Sequence, residues 1–100
     1  METKTYNKNN WSGENVSVKI GKNTVRFNGL ILRWKEVKFS KGLDGTYHKV
    51  FWKYSDSNDY SDFIDIFKDE EGTYHSESMG VERESKDLVE VIVQMACNLI

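Results

Sequence analysis

The fold of this chain is decided by a run of alternating residues, VSVKIGKNTVRFNGLILRWKEVKF, which occupies positions 16–39. Every second residue from Val16 to Ile20 is apolar, and a period of two is the signature of a half-buried β-strand. The turn-forming residues Gly21–Asn23 follow, after which the alternation resumes over 24–28 and again over 30–39. The stretch therefore predicts three consecutive strands joined by short turns.

The same pattern continues further along the chain. A turn over Lys41–Gly45 precedes a predicted strand over Thr46–Tyr54. Strands over Phe63–Lys68 and Thr73–Met79 are predicted to form a hairpin, and Gly80 is expected to end the sheet. Consecutive strands that are joined in this way form an antiparallel meander.

Residues 59–70 also fit a helical interpretation. Their apolar members have the i, i+3, i+4 and i+7 spacing of an amphipathic helix: Tyr60, Phe63, Ile64 and Phe67. We favour the hairpin because the pattern acid-Gly-Thr-Tyr-His occurs at 44–48 and again at 71–75. An acidic residue followed by glycine is good hairpin-turn chemistry in both places.

The C-terminal segment predicts a helix, because its apolar residues recur at helical spacing: Leu88, Val91, Ile92, Met95, Ala96 and Leu99. Ser85 is the expected N-cap, and Asp87 falls in the first turn, where the helix dipole favours an acid. The predicted fold class is α+β, an antiparallel β-meander of five or six strands with one C-terminal α-helix packed on the sheet. Residues 1–14 are expected to form a flexible polar N-terminal arm anchored by Trp11, and residues 15–100 a single domain.

Length and composition limit the class of protein. The 100 residues are 38% hydrophobic and 30% charged, as in a soluble single-domain protein. No apolar run approaches the roughly 18–20 residues that span a bilayer, and the N-terminus lacks an apolar signal segment. The single cysteine, Cys97, excludes an internal disulfide framework and fits a reducing compartment. We therefore expect a cytoplasmic protein of a bacterium or an infected host cell, without membrane association, and either a monomer or a homodimer.

The sequence offers little for catalysis. It contains no CxxC, HExxH, P-loop or glycine-rich dinucleotide motif. The side chains that titrate near neutral pH are those of His48, His75 and Cys97. The two histidines could act as an acid–base pair only if their hairpins lay side by side, and solvent-facing strand positions are the simpler interpretation. We predict a protein that is not an enzyme and that uses no cofactor and no metal ion.

Charge is divided along the chain. Residues 1–54 contain eleven Lys and Arg against four Asp and Glu, a net charge of +7, whereas residues 55–100 contain three against twelve, a net charge of −9. Such asymmetry indicates contact with nucleic acid or an acidic surface aimed at a basic partner. The alternative is that the two halves neutralise each other across a shared sheet.

The acidic half predicts the first binding hypothesis. Closely spaced carboxylates can imitate phosphates and occupy a basic nucleic-acid channel, while aromatic rings among them supply contact area. The predicted protein-binding residues are Asp56, Asp59, Tyr60, Asp62, Asp65, Phe67, Asp69, Glu70, Glu71 and Glu77. This hypothesis describes a small binding protein from a phage or mobile element, of the anti-CRISPR or anti-restriction type, that blocks a host protein with a basic nucleic-acid-binding surface.

The basic half predicts an alternative function. Bases interleaved with aromatic residues are typical of modules that stack rings on nucleobases and track phosphates with cations. The candidate nucleic-acid-binding residues are Arg26, Arg33, Trp34, Lys35, Lys38, Lys49, Trp52 and Lys53. A sheet covered by a helix on one face would leave the other face open for this purpose. The opposing interpretation is that the aromatic residues form the core and the bases only solvate the surface.

Overall fold

The structure is a computed structural model that describes residues 2–9, 13–39 and 45–100. These residues form one curled antiparallel sheet of eight strands, whose spatial order is the order of the chain, and one helix. The strands are β1 (Glu2–Asn7), β2 (Asn15–Gly21), β3 (Thr24–Phe27), β4 (Leu30–Lys38), β5 (Thr46–Tyr54), β6 (Ser61–Lys68), β7 (Tyr74–Ser78) and β8 (Val81–Ser85), and the helix is α1 (Leu88–Leu99). The α+β class is confirmed, but the expected count of five or six strands is wrong, because the described residues form eight.

β1 is the first strand that the sequence pattern does not reveal. It pairs with β2 from Glu2 opposite Ile20 to Asn7 opposite Asn15, so this stretch differs from the flexible arm expected over 1–14. Tyr6 is the buried side chain of the strand, so no alternating apolar pattern marks it in the sequence. Trp11, the expected anchor, lies outside the described residues.

β8 is the second such strand. Gly80 does not end the sheet, because it lies in the two-residue turn that joins β7 to β8. The strand alternates half-buried and exposed residues, but its three central residues, Glu82–Glu84, are charged. The period of two is therefore present in the sequence without the apolar residues that normally make it visible.

Residues Ser61–Lys68 are a strand and not a helix, as the hairpin interpretation predicted. The ladder with β5 shifts register, because Val50 lies opposite Ile64 whereas Phe51 lies opposite Asp62. Phe63 is the extra residue of a β-bulge, and a bulge bends its strand. Of the turn predicted before β5, residues 41–44 lie outside the described residues.

The sheet has two faces of different character. The inner face packs against α1, whose Val91, Ile92 and Met95 are fully buried. The buried apolar strand residues of this face are Tyr6, Val16, Val18, Val25, Phe27, Leu30, Leu32, Trp34, Val50, Ile64 and Ile66. The outer face is the opposite side of the sheet, where the alternate residues of the same strands are mostly polar and exposed.

The start of α1 is tied to β1. Asp87, and not Ser85 as expected, is the N-cap, since its Oδ1 accepts a hydrogen bond of 2.9 Å from the Val89 N–H. Its Oδ2 accepts hydrogen bonds from the Tyr6 hydroxyl at 2.7 Å and from Lys4 Nζ at 3.2 Å. The helix therefore connects both ends of the curled sheet, because it follows β8 in the chain and contacts β1. Over the residues that it describes, the structure holds no helix with the length and apolar character to cross a membrane.

Candidate functional site

The outer face carries the charge division of the sequence. Because the strands lie in chain order, β2–β5 present bases on this face and β6–β8 present carboxylates. The bases are Lys19, Arg26, Arg33, Lys35, Lys49 and Lys53, here called the basic half of the outer face. The carboxylates are Asp62, Asp65, Glu77, Glu82 and Glu84, here called the acidic half.

The two halves meet at the boundary between β5 and β6. Lys49 lies opposite Asp65 in the ladder, and its Nζ is 3.9 Å from Asp62 Oδ2. Since the strand order is sequential, this boundary is the place where the outer face brings oppositely charged strands into register. The interpretation that the two halves neutralise each other across the sheet therefore applies to the boundary and not to the rest of the face.

The basic half holds aromatic rings between its cations. The Tyr60 ring centroid lies 5.7 Å from Arg33 Cζ and 5.2 Å from Lys53 Nζ. The Phe51 ring lies between Lys35 and Lys49, at 5.6 Å and 5.8 Å from their Nζ atoms. Lys35 and Lys49 are direct cross-strand neighbours, so the ring partly offsets the repulsion of a like-charged pair.

The structure brings together only part of the predicted nucleic-acid-binding set. The residues that share the outer face are Arg26, Arg33, Lys35, Lys49 and Lys53. Trp34, Lys38 and Trp52 lie on the inner side of their strands. Trp34 is buried, and Trp52 is half-buried against the core on the inner side, so neither indole ring lies on the outer face with the bases.

The acidic half contains an unfavourable like-charged pair. Glu77 lies directly opposite Glu82 in the β7–β8 ladder, and both side chains are exposed. Cβ atoms of directly opposed residues are about 4.5–5.5 Å apart, a distance at which like charges destabilise a sheet. The fold therefore carries a concentration of negative charge that its own stability does not require.

The other predicted acidic residues extend this charge along β6. Asp56 and Asp59 precede the strand, and Asp69, Glu70 and Glu71 follow it in the turn to β7. Eight strand residues span about 27 Å, so exposed carboxylates occur from one end of the sheet to the other.

The two aromatic residues predicted with the acids lie elsewhere. Tyr60 belongs with the bases of Arg33 and Lys53. Phe67 is 44% exposed and stacks on Phe39 with a centroid distance of 6.0 Å. Its ring is also 5.6 Å from that of Tyr47, so an aromatic cluster marks one end of the outer face.

His75 is the base among these carboxylates. Its Nε2 is 2.7 Å from Asp69 Oδ2, and its Nδ1 is 3.1 Å from Glu84 Oε2. The hydrogen bond to Asp69 raises the pKa of His75 above its ordinary value. That hydrogen bond, together with the Thr73 N–H, lowers the pKa of Asp69 to about 2. Each group therefore favours the charged form of the other.

The two histidines do not form an acid–base pair. His48 lies opposite the buried Ile66 on the inner face, where its ring packs 5.7 Å from that of Tyr74. His75 lies opposite the exposed Phe67 on the outer face. Burial lowers the pKa of His48 and raises that of the half-buried Cys97 thiol. Among the described residues, no three or more His, Cys, Asp or Glu side chains are grouped as metal ligands.

Sequence reasoning missed several residues of this face. Glu82 and Glu84 are absent from the predicted site because β8 itself was not predicted. Their alternation with Val81, Arg83 and Ser85 is the signal that would have placed them on one face. Phe51 is another omission, and its position between two lysines follows only from the pairing of β4 with β5.

No protein-family model matches the chain, and comparisons with curated proteins and with solved structures also give no match.

Proposed function

We propose that this protein is a small non-enzymatic binding protein whose acidic half docks on the basic nucleic-acid-binding surface of a partner protein. The observation that supports this is the directly opposed Glu77–Glu82 pair, which lines the same open cavity as Asp62 and Asp65. Charge that costs folding stability is expected to be retained where it contributes to binding.

The spacing of these carboxylates supports imitation of a nucleic acid. In the β7–β8 ladder the side chains of Glu77 and Glu82 lie about 5 Å apart, and the phosphates of one DNA strand follow each other at about 3.4 Å along the helix axis. A basic channel that neutralises phosphates therefore fits the acidic half as well. The partner class that we propose is a host nuclease, and the protein would act as an anti-CRISPR or anti-restriction inhibitor from a phage or mobile element.

The test is competition between the protein and DNA for such a partner. Labelled duplex DNA is bound to a purified restriction or CRISPR nuclease, and its displacement is followed by fluorescence anisotropy. We expect displacement by the wild-type protein that weakens as salt screens the charges. The triple variant Asp62→Asn, Asp65→Asn, Glu77→Gln should associate more slowly, because charge steering acts mainly on encounter.

A matched control separates the acidic half from net charge. The variant Glu2→Gln, Glu14→Gln, Glu36→Gln changes the charge by the same amount at exposed positions outside the acidic half. Neither variant should melt below the wild type, and the first is expected to melt slightly higher because Glu77→Gln removes the repulsion between Glu77 and Glu82. Equal losses of competition in the two variants would contradict the proposal, because the acidic half would then have no special role.

A second candidate function is binding of single-stranded nucleic acid by the basic half. The observation that favours it is the placement of Phe51 and Tyr60 between pairs of cations. Labelled DNA and RNA strands added to the protein alone provide the test. Binding that falls steeply with salt and is lost in Arg33→Gln, Lys35→Gln would support this candidate over the first.

A further inference from the structure

The sheet is split between β6 and β7. The two strands pair only through Phe67 with His75 and Lys68 with Tyr74. On its other side β6 pairs with β5 as far as Ser61, and β7 pairs with β8 along its full length. Over the described residues, the stretch Ser61–Asp65 therefore has a ladder partner on one side only.

A side chain replaces part of the missing ladder. Ser76 is buried, and its Oγ donates a hydrogen bond of 2.9 Å to the Asp65 carbonyl oxygen. In a continuous sheet a backbone N–H of the next strand would occupy this position. The bulge at Phe63 contributes to the separation, because it bends β6 along the stretch that faces the gap.

The space between the strands is a cavity of about 570 Å³, here called the β6–β7 cleft. Four carboxylates line it: Asp62, Asp65, Glu77 and Glu82. The bases that line it, Lys49 and His75, already contact Asp62 and Asp69. An occupant of the cleft is therefore expected to carry positive charge.

One end of the cleft continues into an apolar hollow. Phe63 and Ser78 line both, and the hollow of about 400 Å³ is also lined by Trp52, Tyr54, Met79, Leu99 and Ile100. Three of these residues are among the exposed large hydrophobic residues of the chain: Tyr54 at 52%, Met79 at 89% and Ile100 at 39%. An apolar patch that adjoins a charged groove is typical of an interaction surface.

The residue at the edge of this hollow is unusual for its position. Met79 and Gly80 form a two-residue hairpin turn with φ values of 51° and 80°. Asn28 and Gly29 form a turn of the same kind, with φ values of 48° and 74°. Asn-Gly is the favoured pair for such turns, whereas methionine is strained at positive φ. An exposed methionine at this position is unfavourable both for the backbone conformation and for solvation. This points to a role of the Met79 side chain in contact with a binding partner.

We infer that the β6–β7 cleft binds an extended basic segment of a partner protein, which adds as a strand to the open edge of β6. Alternate lysine or arginine side chains of this segment face the carboxylates of the cleft. The segment runs antiparallel to β6, so its C-terminal end lies near the start of β6 and places a large apolar side chain in the hollow. This inference rests on the proposed function, since it names the part of the basic partner that the acidic half holds. The open stretch of five residues corresponds to about 17 Å of added strand.

The probe is a labelled eight-residue peptide in which Lys alternates with Val and Trp is the last residue. Its affinity is measured by fluorescence anisotropy, and amide hydrogen exchange of Ser61–Asp65 is followed by NMR. We expect binding with slower exchange in this stretch, because the amides that face the cleft become hydrogen-bonded. Methylation of alternate peptide nitrogens should weaken binding by about tenfold or more, as expected for the loss of two or three backbone hydrogen bonds.

Protein variants identify the two parts of the site. Glu82→Lys reverses a charge that lines the cleft and should weaken binding, whereas Glu36→Lys makes the same change at an exposed position of β4 away from the cleft and should have little effect. Met79→Asn introduces a residue suited to positive φ and removes an apolar wall of the hollow. It should weaken the Trp peptide more than a peptide that ends in Gly.

Each result supports or overturns the proposal that the cleft binds a basic segment. Equal affinity of the methylated peptide, unchanged exchange in Ser61–Asp65, or absence of peptide binding would overturn it. If the protein still displaces DNA from a nuclease in these cases, the proposed function stands without the cleft. If the peptide binds as expected but the protein displaces no DNA, the cleft stands and the proposed nuclease partner is wrong.

Discussion

Replacing Met79 with asparagine should stabilise the protein, although it removes an apolar side chain. Met79 has a φ of 51°, in the left-handed region that costs an ordinary L-residue about 1–2 kcal/mol. Asparagine visits this region readily, as Asn28 does in the equivalent turn at a φ of 48°. The change therefore converts a Met-Gly turn into the Asn-Gly turn that the same sheet already uses.

The expected magnitude follows from the exposure of the side chain. Met79 is 89% exposed, so replacing its side chain loses little buried apolar surface and creates no cavity. The relief of backbone strain is then the main effect, a gain of about 1 kcal/mol in the free energy of unfolding. For a domain of this size, 1 kcal/mol corresponds to a rise of roughly 4–8 °C in melting temperature.

Urea and thermal unfolding followed by circular dichroism measure this gain. Met79→Ala is the matched control, because alanine removes the side chain but stays strained at positive φ. We expect no comparable gain from it. The reverse change, Asn28→Met, should cost about 1 kcal/mol at the equivalent turn. A Met79→Asn protein no more stable than Met79→Ala would refute the argument, since backbone strain would then not limit stability at this turn.

Three further predictions concern the core, the helix cap and the outer face. Ile92→Ala empties a fully buried position and should lower the free energy of unfolding by about 2–5 kcal/mol in urea titrations, and an unchanged midpoint would contradict the core described above. Asp87→Ala removes the acceptor of the Val89 N–H, and the loss of this cap should lower the free energy of unfolding by about 0.5–2 kcal/mol. Asp87→Asn should retain most of the stabilisation by the cap, because asparagine is also a good N-cap residue. The pKa of His75 is raised, so its contribution to stability is full below its ordinary 6.5 and is lost as the pH rises through the raised value. The pKa of Asp69 is lowered to about 2, so its contribution is present above 3.8 and is lost as the pH falls toward about 2. The melting temperature of the wild type should therefore exceed that of His75→Gln most between pH 3.8 and 6.5, and a difference independent of pH would contradict the pair.

Local sequence patterns predicted the central strands and the helix well. The alternation around Val16–Ile20 and the helical spacing around Ile92 report the face that each element buries, and burial of one face is a local property of the chain. The edge strands β1, which contains Tyr6, and β8, which contains Glu82, show no alternation of apolar residues, because they bury few apolar side chains. Their assignment depends on partners that lie elsewhere in the chain.

The site divides in the same way. The separation of charge was predictable from the sequence, because a meander converts order along the chain into order across the sheet. The sequence did not predict that Trp34 lies in the core or that Tyr60 lies between Arg33 and Lys53. A shift of one residue moves a strand side chain to the other face of the sheet, and the path of the loop before β6 decides where the ring of Tyr60 lies.

By itself, then, the sequence determined the α+β class and the division into a basic and an acidic half, because local periodicity and composition carry both. For residues 59–70 the sequence only favoured a strand over a helix, and the pairing of β6 with β5 decided it. The tertiary structure alone decided that Glu77 opposes Glu82, that β6 parts from β7 beyond Phe67, and that the cleft between them reaches Met79. These features arise from strand register and a bulge, and register is set by pairing between distant segments.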